Sequence, residues 1–389
     1  MKIVFIAPFA FAPKATVSAR MLPIATALVR RGHEVHILLP PYDAPSDSDK
    51  CWEHAGVRLE NMRTMHLGVR RYLSFAQQMA ARARELAPDI LHVFKPIGAG
   101  ALAMQMLAAQ FSERIIIDND DWEGRSGWID VNPYPAPFKI YFAWQERWAL
   151  RRARAATCAS ELLVERTRSM RGGKNGPVTL FPNGPDERLR SVVAAAHSRR
   201  IELRRRFKWS DKRVAIYAGT IPFGHDMDIL AQSLPADLHL SVHATGAGIP
   251  SFRTAIERAG KSAQTEWHGF MPHDELIEYL VAADIAVYPY RDTIINRAKC
   301  SGKVMDYMAC GLPMVVSDVG MNRVYLEHER SALLTAPGDA QSFGAALTQL
   351  MSDADLRARL GAAAQSRIWE KFGWEERVDE LLALYEQLR

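Results

Sequence analysis

Residues 296–318 read NRAKCSGKVMDYMACGLPMVVSD, and this stretch decides the fold prediction. A small, polar, basic loop leads into a short amphipathic helix over 302–310, which a Gly-Leu-Pro sequence at 311–313 brings to an end. The apolar residues 313–316 then predict a strand that is buried on both faces. A helix that leads into a buried strand is the repeating unit of parallel α/β sheets.

The start of this helix has the chemistry of a phosphate site. The backbone amides of Ser301, Gly302 and Lys303 have no intrahelical acceptor, and the side chains of Lys299 and Lys303 add positive charge. Asp306 follows one turn later, where its carboxylate could accept hydrogen bonds from two hydroxyls of a ribose. The same residues fit an ordinary capped helix packed on a sheet, and the pattern alone leaves both interpretations open.

The same alternation of strands and helices extends outward through the first half of the chain. Residues 2–7 predict a buried strand, 18–31 a helix that ends at Gly32, and 34–40 a second strand. The series continues with strands over 89–94, 114–117, 155–158 and 178–181, and with helices over 70–86, 98–110, 138–153 and 160–169.

A turn-rich Pro-Asn-Gly-Pro sequence at 182–185 separates this series from a second one. The second series has strands over 213–218, 238–243, 265–267, 284–288 and 313–316, and helices over 198–207, 226–234, 250–260, 273–282, 302–310 and 340–351, before two terminal helices. The class is therefore α/β, with two Rossmann-like domains over 1–184 and 185–373. Because ligands bind at the carboxyl ends of parallel strands, we expect the ligand in a cleft between the two domains.

Composition restricts the class of protein further. The chain has 389 residues, 48% hydrophobic and 24% charged, which excludes a disordered, collagenous or coiled-coil protein. The first 185 residues hold 24 basic and 17 acidic side chains, while the remainder is nearly neutral, so the two halves should meet different partners. No apolar run is long enough to span a membrane, and the first residues resemble a strand more than a signal peptide. We expect a cytoplasmic protein that at most touches the inner face of a membrane.

Six stretches resemble the retaining glycosyltransferases of family 4, which have the two-domain GT-B fold. In chain order they are RRGHEVHIL, LFPNGPDE, YAGTI, HGFMPHDELIEYLVAADIAVYPY, KVMDYMACGLPMVVSDVG and GWEERVDELLALYEQL. The fifth is similar to the signature helix of the family, and the sixth to its C-terminal helix. The resemblance implies that 374–389 crosses back and packs on the first domain.

The resemblance also implies a nucleotide-diphosphate sugar as the donor, with uridine or guanosine as the usual nucleoside, bound mainly by the second domain. The family signature holds two acids with seven residues between them, and Asp306 stands at the second, ribose-binding position. The first acid, which contacts the donor sugar, is replaced by Ala298, and Asn296 or Arg297 could substitute for it.

Other donor contacts are expected from loops that follow strands. The family often has a basic pair after the first strand of this domain, but residues 219–225 contain no Lys or Arg, so Gly219, Thr220 and backbone amides would approach the phosphates. His225 fits a helix start better than a ligand. The remaining positions implied by the resemblance are Thr245 and Gly246 near the donor and Phe270 and Met271 beside the base.

In the first domain, the polar residues at or just after the carboxyl ends of buried strands are candidates for contact with the reacting groups. We expect His92, Lys95 and Asp120 to be catalytic, although a satisfied core histidine fits His92 nearly as well. Lys14 and Asp121 are expected to face the acceptor. The Asp-x-Asp sequence at 118–120 could also hold Mn²⁺ or Mg²⁺, as in single-domain glycosyltransferases, but the fold favours no metal. N-capping of the next helix is a further reading of these acids.

Residues 122–152 interleave aromatic and basic side chains. The pattern favours an aromatic core helix with an exposed basic face. Contact with a membrane surface is the second interpretation, and stacking on single-stranded nucleic acid is the third, so nucleic acid is not expected as a partner.

The sequence therefore predicts a retaining transferase that moves a sugar to an acceptor hydroxyl without a metal or other cofactor. The acceptor is open and could be a glycan, a small molecule, or a lipid-linked or anionic compound. Two alternatives remain: a nucleotide-sugar-binding subunit without catalysis, which the departures at Ala298 and 219–225 allow, and a nucleotide-sugar 2-epimerase of the same fold.

Overall fold

The computed structural model describes residues 1–12, 16–66, 68–173 and 176–389, so Lys14 lies outside the described residues. These residues form two compact units. The first unit comprises Met1–Asn183, Arg297–Cys300 and Trp374–Arg389, and the second comprises Gly184–Asn296 and Ser301–Gly373.

The described part of the chain contains fourteen strands: β1 Lys2–Ile6, β2 Glu34–Leu39, β3 Cys51–His54, β4 Val57–Asn61, β5 Ile90–Phe94, β6 Ile115–Asn119, β7 Ala155–Cys158, β8 Val178–Leu180, β9 Arg213–Thr220, β10 Leu238–Thr245, β11 Thr265–His268, β12 Ile285–Tyr288, β13 Met314–Ser317 and β14 Leu333–Thr335.

The α-helices among the described residues are α1 Leu22–Arg30, α2 Val69–Leu86, α3 Gly98–Leu107, α4 Trp128–Val131, α5 Ala136–Arg152, α6 Glu161–Arg171, α7 Arg188–Ser198, α8 Arg200–Arg206, α9 Gly224–Ser233, α10 Ile249–Arg258, α11 His273–Ala282, α12 Ile294–Ala298, α13 Gly302–Ala309, α14 Asn322–Tyr325, α15 Ala340–Ser352, α16 Ala354–Lys371 and α17 Trp374–Glu386. Short π- or 3₁₀-helical turns occur at Val17–Met21, Pro45–Asp47 and Ser262–Gln264.

The first unit is built on an eight-stranded sheet, counted over its described residues. The strand order is β3-β4-β2-β1-β5-β6-β7-β8, and only the β3–β4 pair is antiparallel. Alternate residues of β1 serve two cores, because successive side chains of a strand point to opposite faces. Val4 and Ile6 pack in the core with α2 and α3, whereas Ile3 and Phe5 pack in the core with α1 and α17.

The C-terminal helix α17 is part of the first unit. Trp374, Val378 and Tyr385 are buried in the same core as Ile3 and Phe5. The guanidinium of Arg31, just after α1, adds ion pairs to Glu375 and Asp379 of α17.

The second unit contains a six-stranded parallel sheet in the order β11-β10-β9-β12-β13-β14 over its described residues. Buried side chains such as Ile216, Val287 and Val315 come from its central strands. The strands end at polar or small residues, including Thr220 on β9 and Thr245 on β10, so these residues lie at the carboxyl edge of the sheet.

The expected class, two α/β units with mostly parallel sheets, is confirmed. The hairpin of β3 and β4 was not predicted, although Ala55-Gly56 has the left-handed backbone of a tight turn and residues 57–61 alternate between buried and less buried side chains. The three-residue strand β14 was not predicted either, because it is too short to show a periodic pattern. None of the helices in the described ranges is both long and apolar enough to cross a bilayer.

Candidate functional site

The N-terminus of α13, in the second unit, presents backbone donors. Ser301 is its N-cap residue, with an extended backbone, and the Ser301 side chain makes no capping hydrogen bond within the part of the chain that is described. The amides of the first turn, from Gly302 onward, therefore have no side-chain cap. A helix N-terminus in this state is suited to an anion, because its dipole and its N–H groups both favour negative charge.

Lys303, the second residue of α13, extends to the end of β9. Its Nζ donates to the carbonyl oxygen of Thr220 at 3.3 Å and to the hydroxyl of Tyr290 at 3.5 Å. Gly219 makes this path available, because a Cβ at that residue would lie 1.9 Å from Cε of Lys303. Its φ of +124° is also a backbone conformation that favours glycine. The structure thus brings Gly219, Thr220 and Lys303 into direct contact.

Three tyrosine rings surround the ammonium of Lys303. Their centroids lie 5.7 Å away for Tyr217, 5.7 Å for Tyr288 and 5.9 Å for Tyr290. Burial raises the pKa of Tyr217 and of Tyr290 well above the ordinary value, so both phenols stay neutral. Neutral aromatic rings attract a cation, so they hold the ammonium at the end of β9. None of these tyrosines was predicted as a site residue, although Tyr217 lies in the buried strand β9 and Tyr288 ends the buried strand β12.

Asp306 lies one turn into α13 and is paired with a histidine that the sequence analysis missed. Nε2 of His273, the first residue of α11, lies 3.2 Å from Oδ1 of Asp306. The charge of Asp306, and then the hydrogen bond to it, raise the pKa of His273 above its ordinary value. A histidine 33 residues before its partner leaves no local pattern, and only its place just after a strand could have drawn attention to it.

The loops after β9 and β10 pack closely. The amide of Ile221 donates to the carbonyl oxygen of Thr245 at 2.7 Å. Gly246 has φ +118°, and a Cβ there would lie 2.4 Å from the carbonyl oxygen of Ile221. Thr245 and Gly246 themselves are exposed. Glycine at 246 therefore allows two strand ends to meet beside an accessible surface.

Two further candidates of the second unit lie after β11. Phe270 is 82% exposed, and Met271 is half-buried. A phenyl ring with so much accessible surface is available to stack on a ligand.

The residues just before Ser301 have other surroundings. Ala298 is buried in a core of the first unit. Lys299 also groups with the first unit, where its Nζ lies 5.7 Å from the ring centroid of Trp128. Asn296 is buried in the second unit, and its amide nitrogen donates to both carboxylate oxygens of Asp226, at 3.3 and 3.2 Å. The structure therefore does not place Lys299 in the same unit as Ser301, Gly302 and Lys303.

In the first unit, Lys95 lies among three carboxylates. Its Nζ is 2.9 Å from Asp120, 2.8 Å from Asp121 and 2.7 Å from Glu123. Lys95 itself follows β5 with a left-handed backbone, and its amide donates to the carbonyl oxygen of Asp118 at 2.9 Å. Of the residues expected here, Lys95, Asp120 and Asp121 are together, and Glu123 is an addition.

The electrostatics of this cluster favour the protonated forms of Asp120 and Glu123. Burial raises the pKa of Asp120 to about 6 and that of Glu123 to about 7, although the charge of Lys95 opposes both shifts. Burial also disfavours the charged form of Lys95, but the three carboxylates outweigh it and raise the pKa of the ammonium. The carboxylate oxygens lie within 4.8 Å of one another, as in a metal site, yet the Lys95 ammonium already lies in contact with all three.

Side chains of α5 and α6 stabilise the loop that carries these acids. Glu146 of α5 accepts a hydrogen bond from the amide of Gly124 at 3.0 Å and pairs through both oxygens with Arg166. The guanidinium of Arg166 lies 3.9 Å from the ring centroid of Trp122. These contacts fix the backbone around Asp120 and Asp121, of which Asp121 is the more exposed.

His92 has a different position from the one expected of a catalytic residue. Its side chain has no exposed surface. Nδ1 lies 2.7 Å from the hydroxyl of Tyr385, and Nε2 lies 3.3 Å from the hydroxyl of Thr157. Burial lowers the pKa of His92 to about 4, so the ring is neutral near pH 7. The structure places His92 inside the core, as a histidine with both nitrogens near partners.

Asp118 belongs to this buried network and not to the acidic cluster. Its carboxylate accepts from Thr157 at 2.6 Å and from the guanidinium of Arg20 at 2.8 and 2.6 Å. The two acids of the Asp-x-Asp sequence at 118–120 therefore have different partners: Asp118 pairs with Arg20, and Asp120 pairs with Lys95.

A cavity of about 630 Å³ also lies in the second unit, lined by residues that include Arg190, His197, Gln365 and Trp369. It reaches only Ala309, the last residue of α13, so it lies away from Lys303 and Asp306.

Comparison with known proteins places this arrangement in a family. Residues 16–184 match the glycosyl transferase 4-like domain, and residues 200–367 match the group 1 glycosyl transferases. The chain belongs to the group 1 glycosyltransferases of family 4. The expected membership of the family 4 glycosyltransferases is therefore confirmed.

Similarity to curated members of this glycosyltransferase family is partial. The D-inositol 3-phosphate glycosyltransferase of Xylanimonas cellulosilytica is 25% identical over 245 residues, which make up 59% of this chain and 57% of that protein. The chain spans less than two thirds of the length of curated relatives that it matches.

Solved structures of glycosyltransferases share the whole fold. Sucrose-phosphate synthase from Thermosynechococcus elongatus has a TM-score of 0.76 and 18% identity, and the match covers 100% of this chain and 98% of that one. Anabaena HepE in complex with UDP and glucose has a TM-score of 0.71 and 17% identity, with 100% of both chains covered. The expected GT-B fold of two Rossmann-like units is confirmed.

Proposed function

We propose that this chain is a glycosyltransferase that moves a sugar from a nucleotide-diphosphate sugar to an acceptor hydroxyl. The observation that carries the proposal is Lys303, which extends past Gly219 at the N-terminus of α13, where Ser301 provides no side-chain cap. This combination of a helix N-terminus and a lysine suits a diphosphate.

The leaving group of the reaction is a nucleoside diphosphate, which gains negative charge as its bond to the sugar breaks. Donors already aimed at that charge lower the barrier, because they need no reorganisation during the reaction. In this proposal the amides of Gly302 and Lys303 and the ammonium of Lys303 supply the donors. Thr220 lies beside them at the end of β9.

The nucleoside would contact the remaining candidate residues of the second unit. Asp306 would accept hydrogen bonds from the ribose hydroxyls, and His273 would hold its carboxylate in place from the other side. Phe270 and Met271 would lie against the base, and Thr245 and Gly246 near the sugar. The HepE complex with UDP and glucose supports a uridine diphosphate sugar as the first donor to test.

The first unit would contribute the acceptor side, with Asp121 and Asp120 as the groups that meet the hydroxyl. Lys95 would hold both carboxylates and keep a divalent ion from their centre. We assign His92 a positioning role through Tyr385 and Thr157, because its buried ring has no surface for a substrate.

Stereochemical retention is part of the proposal. The acceptor oxygen would form its bond to the anomeric carbon on the face from which the diphosphate departs. The bond between that carbon and the phosphate oxygen would break, and the departing oxygen would take the proton of the acceptor hydroxyl. The chain would need to supply neither a nucleophile nor a metal for this route.

The test begins with calorimetric titration of UDP, GDP and their glucose and mannose conjugates into the wild-type chain. Lys303→Ala should weaken nucleotide binding at least tenfold, whereas Lys212→Ala, at an exposed lysine of the same unit, should leave it unchanged. Absence of nucleotide binding by the folded wild-type protein would contradict the proposal.

Transfer is then measured with a labelled donor and a panel of hydroxyl acceptors, and the anomeric configuration of the product is read by NMR. Binding without transfer would favour a non-catalytic subunit. Release of nucleoside diphosphate without an acceptor, with a 2-epimeric sugar product, would favour the epimerase alternative. An inverted product would contradict retention alone.

A further inference from the structure

Exposed apolar side chains are concentrated on one part of the first unit. Among the described residues, eleven large hydrophobic side chains are exposed, and eight of them fall between 65 and 73 or between 131 and 144. These eight are Met65, Val69, Leu73, Val131, Tyr134, Ile140, Tyr141 and Trp144. Single exposed hydrophobic residues are common on proteins, but a group of them in two short segments suggests a contact surface.

Helix α5 has an inverted pattern of burial. Gln145 and Glu146 point inward and are almost fully buried, whereas Ile140 is 64% exposed and Trp144 is 51% exposed. Ile140, Tyr141 and Trp144 are spaced as one stripe along the helix, and Arg147 continues it. The expectation of an aromatic core helix thus holds for Phe142, which is buried, but not for the outward stripe.

The inward-facing polar side chains of α5 have hydrogen-bond partners, so their burial is compatible with a stable fold. Gln145 accepts from the amide of Gly98 at 2.8 Å and donates to its carbonyl oxygen at 3.0 Å. Glu146 pairs with Arg166 and with the amide of Gly124. The polar residues of α5 therefore fix which face is outward, and that face is apolar.

The start of α2 adds to the same region. Val69 and Leu73 are exposed one turn apart on α2. Tyr72 of α2 has its ring centroid 5.2 Å from that of Tyr42, and it is close enough to Tyr134 to contribute, after burial, to the raised pKa of that residue. We call the exposed apolar residues at 69–73 and 134–144 the outward face.

Basic side chains flank the outward face. Residues 69–77 and 136–152 together contain Arg70, Arg71, Lys139, Arg147, Arg151 and Arg152, and the single acid among them is Glu146. Because Glu146 is buried and paired with Arg166, it does not offset these charges at the surface. The face thus combines Trp, Tyr and aliphatic groups with a mainly basic border, which Asp43 near Tyr72 and Tyr134 offsets in part.

We propose that the outward face binds the surface of an anionic lipid bilayer. Trp and Tyr suit the boundary between headgroups and acyl chains, and Arg and Lys beside them attract anionic headgroups. A second copy of this chain fits less well, since two outward faces would bring their basic borders together. The proposal goes beyond sugar transfer, because it concerns where the first unit docks.

Vesicle co-sedimentation tests the proposal without donor or acceptor, so it is independent of the proposed enzymatic function. The wild-type chain is mixed with vesicles of phosphatidylcholine alone or with about one third phosphatidylglycerol. We expect at least tenfold more binding to the anionic vesicles than to the neutral ones. Most of the binding to anionic vesicles should be lost when NaCl is raised from about 0.05 M to about 0.5 M, because this increase shortens the Debye length severalfold. Equal binding to both vesicles, or none to either, would overturn the proposal.

Two pairs of variants separate the apolar and the basic contributions. Ile140→Ser with Trp144→Ser should reduce vesicle binding at least fivefold, and Ile201→Ser, at a residue 72% exposed in the second unit, should not. Arg147→Glu with Arg152→Glu should also reduce vesicle binding at least fivefold. The control Arg205→Glu, at an exposed arginine of the second unit, should leave vesicle binding unchanged. Melting temperatures verify folding, and Leu73→Ser replaces the double variant if that one unfolds. Unchanged binding by the folded variants would overturn the proposal, as would a wild-type dimer that the double variant converts to a monomer.

Discussion

The guanidinium of Arg20 and the carboxylate of Asp118 form a two-pronged ion pair inside the first unit, 98 residues apart in sequence. Nε and Nη2 of Arg20 donate to the two carboxylate oxygens at 2.8 and 2.6 Å. The same guanidinium also donates to the carbonyl oxygen of Phe181 and to the side chain of Asn183. Burial disfavours both charges, but Asp118 raises the pKa of Arg20 and Arg20 lowers that of Asp118. The pair therefore ties β6 to the segment after β8.

Arg20→Met should destabilise the first unit strongly. The change leaves the buried carboxylate of Asp118 without its cation, and loss of one partner of a buried pair costs roughly 3–5 kcal/mol. Arg30→Met provides the control, because the Arg30–Glu375 pair is exposed and should contribute about 0–1 kcal/mol. Urea unfolding measures both. Similar losses of unfolding free energy in the two variants would contradict the importance of burial.

The Arg20–Asp118 pair also shows where prediction from the sequence ends. Lys303 and Asp306 could be found because one short segment holds the helix start, the lysine and the acid. Arg20 lies on a turn before α1, and Asp118 was grouped with Asp120 because the two are neighbours in sequence. Only the folded chain shows that Asp118 turns to Arg20 while Asp120 turns to Lys95.

The strands and helices could be predicted from the sequence better than the contacts between side chains of different elements. Buried runs such as KIVFI and ILHVF have one interpretation as central strands, because both faces are apolar. The pairing of His273 with Asp306 depends on how α11 and α13 pack, which the residue pattern of neither helix states. The inverted burial of α5 could not be predicted for the same reason. Gln145 and Glu146 point inward because they form hydrogen bonds with Gly98, Gly124 and Arg166, which lie on other parts of the chain.

Glu123→Gln should flatten the pH dependence of stability. The folded-state pKa of Glu123 is about 7, above the value of about 4.3 for an unfolded glutamate, so the folded chain prefers its neutral form. The contribution of that preference is complete below about pH 4.3 and is lost as pH rises through about 7. The wild-type unfolding free energy should therefore fall between pH 5 and pH 8 by on the order of 2 kcal/mol more than that of the variant.

Chemical denaturation at a series of pH values measures this difference. Glu376→Gln, at an exposed glutamate of the same unit, is the control and should keep the wild-type pH dependence. Parallel curves for the wild type and Glu123→Gln would show that the cluster around Lys95 holds no extra proton.

Gly219→Ala should reduce nucleotide affinity at least tenfold. A methyl group at 219 would collide with Cε of Lys303 at 1.9 Å and would displace its ammonium from Thr220 and Tyr290. Gly260→Ala is a matched control, because Gly260 also has a positive φ, +69°, but no atom lies within 4 Å of the added Cβ. Both variants should lose stability through backbone strain of about 1 kcal/mol. Calorimetry should show an affinity loss in Gly219→Ala alone; equal affinities would contradict the role of Lys303.

His92→Gln should leave the pH profile of transfer unchanged between pH 5.5 and pH 8. Because burial lowers the pKa of His92 to about 4, its ring stays neutral over that whole interval. The stabilisation linked to this shift is complete above about pH 6.5, the unfolded value, and is lost as pH falls through about 4. Steady-state rates over the interval provide the measurement. A shifted profile at constant folding would restore His92 to the catalytic residues.

Asp306→Asn should lower both the pKa of His273 and the affinity for nucleotide. The Asp306 charge is the largest cause of the raised His273 pKa, and Asp274 contributes less. The stabilisation from this pair is complete below about pH 6.5 and is lost as pH rises through the higher folded value. An NMR titration of the His273 ring should give a midpoint above 6.5 that falls further in Asp306→Asn than in Asp274→Asn. Nucleotide affinity should drop about tenfold in Asp306→Asn only, because the amide has no negative charge and one accepting oxygen in place of the two that a carboxylate offers to the ribose hydroxyls. If the two variants gave the same midpoint and the same affinity, Asp306 would be neither the partner of His273 nor a ribose ligand.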